Sequence, residues 1–186
     1  MNRGILFALV VPLIGSGLVT ACRHTIDPHR IATIDSLITT MEAASFTLNE
    51  LDGTPYTKAD SILNTKRALF LQRFSDTLDR RTAAALGAQF VRLRDAARMA
   101  ADHEQVRLAV ERAMVRLQGL RTDLVTGAMD NEQSLSALTM EQGATNALDS
   151  SVQQVLANYR SMQGVLEEQT LVDSLLAGTG PTQHIP

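Results

Sequence analysis

Apolar residues recur at helical spacing along most of this chain, and the pattern divides it into segments. Ile34, Leu37 or Ile38, Met41, Ala44, Leu48 and Leu51 fall on one face of a first helix. Asp27-Pro28 supplies its N-cap and first-turn proline, and Asp52-Gly53, with Pro55 beyond, supplies its stop. Thr57 offers a cap for a second helix with Ile62, Leu63, Leu69, Phe70, Phe74 and Leu78 on its inner side. The turn at Gly53 to Tyr56 predicts that these two helices pair antiparallel. No Gly or Pro ends the second helix, so a break at Asp79-Arg80-Arg81-Thr82 and a helix running on to residue 100 or even 126 both fit the pattern.

Residues 82 to 176 carry the strongest periodicity. Val106, Val110, Ala113, Leu117, Leu120 and Leu124 step by 4, 3, 4, 3 and 4, a heptad seam. A second seam runs through Leu138, Glu141 or Gln142, Thr145, Leu148, Val152, Val155, Tyr159, Met162 and Leu166, then on through Gln169 and Val172 or Asp173 to Leu176. Between them lies the short sequence Val125-Thr126-Gly127-Ala128-Met129-Asp130. The pattern predicts an all-α fold, an elongated antiparallel helical hairpin or bundle of three to four helices, with long arms at about 82–126 and 130–176. Arms of about 45 residues would each reach about 68 Å. Residues 83 to 101 are alanine-rich, which permits close helix approach, with Leu86, Phe90 and Leu93 for bulk. Asp102-His103-Glu104-Gln105 has the form of a capping box and predicts a kink or restart. The domain plan is a signal segment at 1–21, a short tether at 22–26, a helical bundle at 27–176 and a flexible tail at 177–186.

Composition narrows the fold further. There is no Trp, and the apolar content is mostly Ala, Leu, Val and Met, which favours helices over sheets. The net charge of −3 gives no general argument for nucleic acid, but its distribution is uneven. Residues 58 to 121 hold 13 Lys or Arg against 7 Asp or Glu, and residues 122 to 186 hold 1 against 8. Folding the arms together sets opposite charges beside the seam and favours this pairing over self-pairing of either arm.

The N-terminus carries a different signal. Met1-Asn2-Arg3 is a short positive start, and Gly4 to Gly17 is an uncharged apolar run interrupted by Pro12 and Gly15, too short for a comfortable membrane span. It leads into Leu18-Val19-Thr20-Ala21-Cys22, which resembles the lipobox of bacterial lipoproteins. The resemblance covers residues 1 to 22 alone. It implies cleavage after Ala21 and a covalent lipid on Cys22, with no other cofactor. Cys22 is the chain's one cysteine, an awkward thiol in an exported protein unless the sulfur carries lipid. Ordinary signal cleavage after Ala21 is the alternative reading. One acyl chain holds a protein only marginally, so durable anchoring needs the two or three chains such lipoproteins carry. In enteric members Asp after the cysteine favours inner-membrane retention. Arg23 here implies a periplasm-facing protein on the outer membrane.

Candidate chemistry is sparse. His24, His29 and His184 fall in tether, helix start and tail, and His103 has no His or carboxylate four residues on, so the spacing offers no metal pair. Solvated histidines are the default expectation. There is no Gly-x-Ser-x-Gly elbow, phosphate-binding glycine loop or dinucleotide fingerprint, so no catalytic residue is assigned. The arginines from 73 to 121 are interspersed with acids and lack interleaved aromatics, which reads as a solvated or arm-pairing face and not a nucleic-acid surface. Met41, Met99, Met114, Met140 and Met162 fit core gap-filling better than a client-binding surface.

Leu138-Thr139-Met140-Glu141-Gln142 is similar to the Leu-Thr-x-x-Gln motif of a periplasmic helical family of chaperones and envelope-stress sensors. That family typically has two copies and this chain has one. The resemblance implies a cradle for unfolded clients, with Leu138, Thr139 and Gln142 supporting the helix. The expectation from the sequence is a scaffold, adaptor or assembly factor of the envelope, held to the membrane by lipid and acting on a protein partner or a second copy of itself. A holdase or stress sensor is the alternative.

Overall fold

The structure, a computed structural model, describes residues 27–177, and these are all-helical. Five helices follow in order: α1 (Pro28–Glu50), α2 (Thr54–Ser75), α3 (Arg80–Thr126), α4 (Asn131–Glu167) and α5 (Gln169–Leu176). The signal segment, Cys22, the tether and the tail from residue 178 lie outside the described residues.

Aspartates open the four long helices. Asp27 accepts from the His29 N–H at 2.9 Å, and Asp52 accepts from the Thr54 N–H at 3.0 Å. Asp79 accepts from the Arg81 and Thr82 N–H groups, and Asp130 forms a reciprocal capping box with Gln133. The second helix therefore starts three residues before Thr57, whose hydroxyl instead donates to the Gly53 carbonyl within the first turn. The break near residue 79 is real, and the first long arm begins at Arg80. Gly127 closes α3 in the left-handed conformation, φ 67°, where a side chain would clash with its own backbone. No restart occurs at Asp102. α3 continues through it, with Asp102 bonded to Arg98 and Glu104 to Arg107 on its surface. The second arm is divided, because Glu168 leaves helical geometry between α4 and α5, giving five helices where three to four were expected.

Contacts along the arms set their directions. Arg116 reaches Glu141, and Gln89 and Arg92 reach Glu168. The interval from Gln89 to Arg116 equals that from Glu141 to Glu168, so α3 and α4 run antiparallel in constant register. The first two helices do not fold back on each other as the turn at Gly53 predicted, and α1 and α2 share no contact. Partners on α3 move toward its N-terminus as the chain advances through α1 and α2. Asp35 meets Arg121, Leu48 and Tyr56 both meet His103, and Phe70 meets Phe90. α1 and α2 thus lie end to end along the hairpin as one interrupted third strand. Length explains this: α3 spans about 70 Å, while α1 and α2 each span about 34 Å. Folded together they would leave half the apolar stripe of the hairpin in water.

Two cores result. The first joins α1 to the C-terminal half of α3 and the N-terminal half of α4, around Ile34, Met41, Leu48, Val110, Leu117 and Val152. The second joins α2 and α5 to the opposite halves of the arms, around Tyr56, Phe70, Leu86, Leu93, Met162 and Val172. Burial of such side chains contributes about 1.5–3 kcal/mol each and holds the strands together.

Candidate functional site

The seam residues separate between the two cores. Val110, Leu117, Leu120, Val152 and Val155 are buried in the first, with Val106, Leu124 and Leu148 packed against it. Met162 is buried in the second and Tyr159 packs beside it. Leu117 and Leu120 share their core with Leu138, Val152 and Val155, whereas Met162 faces the Leu86 to Ala96 stretch of α3. Near the end of α4 the buried position is Val165, and Leu166 is half-buried. The inward face there falls one residue before the position the heptad count gives.

Three side chains meet at the break between α1 and α2, of which the heptad pattern had placed only Tyr159 on a seam. His103 is buried, not solvated, and its Nε2 lies 3.1 Å from the Leu48 carbonyl in the last turn of α1. A carbonyl only accepts, so Nε2 carries the proton and caps an otherwise orphan acceptor. The Tyr56 ring, on the first turn of α2, stands 6.0 Å from the imidazole and edge-on to Tyr159 at 5.9 Å. Burial pushes the Tyr56 phenol above its ordinary value, and neighbouring Tyr159 adds to the rise. Its hydroxyl has no protein hydrogen-bond partner among the described residues. The signal for His103 was present in the sequence, since it lies seven residues after Ala96 and seven before Val110, both buried. Gln89 is also buried on this repeat and bonds Glu168.

At the end of the bundle near the hairpin turn, Arg30 of α1 donates to the Asn131 carbonyl at 3.0 Å and to the Ser134 hydroxyl. This fastens the start of the domain to the first turn of α4. Ion pairing between the two arms is limited to Arg116 with Glu141 and Arg92 with Glu168 among the described residues, while other pairs such as Arg107 with Glu104 and Glu111 stay within α3. The Arg107 guanidinium holds Glu104 below the usual carboxylate range. Such exposed pairs contribute little to stability.

The outer surface keeps several apolar side chains. Val115 is 70% and Met140 72% exposed, and a shallow groove of about 540 Å³ lies between α3 and α4, lined by Ala109, Arg112, Ala144, Ala147 and Ser151. A second groove, about 580 Å³, runs between α1 and α4 past Thr39, Ala43, Thr47 and Asp149. Met41 and Met162 are buried, and Met99 and Met114 are packed against the cores, so Met140 stands apart among the five methionines weighed. In the Leu-Thr-x-x-Gln segment Leu138 is buried, Thr139 donates to the Leu135 carbonyl at 2.9 Å, and Gln142 is exposed.

Among the described residues no three His, Cys, Asp or Glu side chains converge as a metal site, and no helix is long and apolar enough to cross a membrane. The described chain is thus defined as a helical bundle with solvent-facing grooves. Comparison with protein-family models, with curated proteins and with solved structures finds no match.

Proposed function

We propose that this is a lipid-anchored protein of the bacterial cell envelope that works by holding other proteins, as scaffold, adaptor or assembly factor, and not by catalysis. The observation that carries the reading is the join between the lipobox-like segment and the fold. Pro28 opens α1 six residues after Cys22, and Arg30 ties that first turn to the start of α4. Acylation of Cys22 would hold the hairpin-turn end beside lipid and leave the elongated bundle facing the periplasm, on the outer membrane in the reading Arg23 supports. The groove between α3 and α4, together with the exposed Val115 and Met140 of the same two helices, is the surface offered to a protein partner.

Mass spectrometry of the protein from native membranes is expected to find Cys22 diacylated, and Cys22→Ala to release it from the membrane fraction. An unmodified Cys22 would overturn the anchor. Photo-crosslinkers at Val115 and Met140 should give discrete adducts in intact envelopes, and their absence counts against a scaffold.

A holdase or stress sensor is the second reading, favoured by the exposure of Leu135 and Met140 on either side of Leu138. It requires that the purified protein delay aggregation of a denatured client.

A further inference from the structure

The end of the bundle remote from Arg30 is a corner built from the last turns of α2, the segment Asp76–Asp79 and the first turn of α3. Residues 66 to 81 hold five cations, Lys66, Arg67, Arg73, Arg80 and Arg81, against two acids, Asp76 and Asp79. Lys66 pairs with Asp173 of α5, and Arg73 pairs with Asp76 at 2.9 Å. The Asp79 carboxylate accepts the Arg81 and Thr82 N–H groups at 2.9 and 3.0 Å and caps α3. Arg67, Arg80 and Arg81 are exposed and pair with no carboxylate among the described residues.

Apolar side chains stand among these cations. Leu71 is 55% and Phe74 39% exposed, and they follow Arg67 at steps of four and three along one side of α2. Leu69, 50% exposed, flanks the opposite side. Phe70, between them, is fully buried against Phe90 at 5.5 Å and fixes the helix to the bundle. Phe74 packs against Phe70 at 6.1 Å and edge-on to Phe90 at 5.6 Å with part of its ring left open, while Leu71 stands farther out. Guanidinium groups beside aliphatic and aromatic side chains suit a plane of anionic headgroups with an apolar layer beneath it.

We propose that this corner is a membrane-contact surface, taking anionic phospholipid headgroups at Arg67, Arg80 and Arg81 while Leu71 and Phe74 enter the interfacial layer. It lies about 70 Å along α3 from the end where the N-terminal segment emerges, so it is a contact separate from any lipid on Cys22. The proposal does not rest on that lipid.

The full chain is tested by flotation with vesicles of phosphatidylglycerol and vesicles of phosphatidylcholine, so that uptake driven by the N-terminal segment appears in both. Each arginine near an anionic surface contributes roughly fivefold in partition. The variant R67Q/R80Q/R81Q, altered at exposed positions, is expected to lose about a hundredfold on phosphatidylglycerol with binding to phosphatidylcholine unchanged. The chain has no tryptophan, so Leu71→Trp places a single reporter at the corner. Its emission is expected to shift to the blue with phosphatidylglycerol alone. Equal binding of the wild-type chain to both vesicles, retention of the preference by the triple variant, or an unshifted emission overturns the proposal and leaves an acidic protein segment as the counterpart of this corner.

Discussion

A buried imidazole that caps a helix-end carbonyl links three strands through one side chain. His103 belongs to α3, its acceptor Leu48 to α1, and the ring beside it, Tyr56, to α2. His103→Ala removes the donor and leaves both a buried acceptor and a space against Tyr56, so a loss of about 1–3 kcal/mol is expected in urea unfolding. The neutral ring is expected to show the Nε2–H tautomer in long-range nitrogen–proton spectra, and an Nδ1–H pattern would contradict the assigned bond. The position of His103 was legible in the sequence through its sevenfold distance from Ala96 and Val110. Its role was not, because the acceptor lies 55 residues away at a helix end that only tertiary packing brings near. Cys22 is the reverse case. The lipid proposed for it rests on the resemblance of five consecutive residues to a lipobox, and it lies outside the described part of the fold.

At the scale of elements, several starts and stops were legible because they are local, whereas α2 starts before the cap expected at Thr57, α3 runs through the restart expected at Asp102, and the break at Glu168 had no signal in the pattern. Asp27-Pro28, Asp52-Gly53 and Gly127 each act within a few residues of themselves. Asp130→Ala, which opens the capping box of α4, is expected to cost about 1 kcal/mol in thermal or urea unfolding. The caps also carry a pH dependence. Hydrogen bonds from Thr54 to Asp52, and from Thr82 to Asp79, hold both carboxyls below their ordinary values. A depressed carboxyl stabilises the fold fully above its unfolded value, and that contribution is lost as pH falls through the folded one. Melting temperature should therefore fall on the acid side of the carboxyl range. Asp79→Asn, which keeps the capping oxygen without its proton, should fall less steeply than wild type. What was not legible was the partner of each helix. A turn with Gly53 and Pro55 looks the same whether the chain reverses there or merely bends, and the choice is made by the length of apolar stripe that α3 and α4 leave open.

The whole molecule is a hairpin of two long arms with a third strand in two pieces, each piece closing its own core. Leu117 and Phe70 are both fully buried, one in each core. Leu117→Ala is expected to cost about 2–5 kcal/mol and Phe70→Ala about 3–5 kcal/mol. Because they share no core, the double variant should equal the sum within about 0.5 kcal/mol. A larger coupling would mean that the cores act as one. The opposite charges of the arms, prominent in the sequence, are little used between them: among the described residues Arg92 and Arg116 pair across to the second arm, while Arg94, Arg98 and Arg107 pair within α3 and Arg121 pairs with Asp35 of α1. Hydrophobic cover along the length of the hairpin therefore decides the architecture. The most direct test of the end-to-end third strand is the distance between spin labels at Ala32 on α1 and Gln72 on α2, both exposed, in a chain carrying Cys22→Ala. Forty residues of nearly continuous helix give an expected separation of about 60 Å. A separation below about 20 Å, as two helices packed side by side would give, would contradict the account.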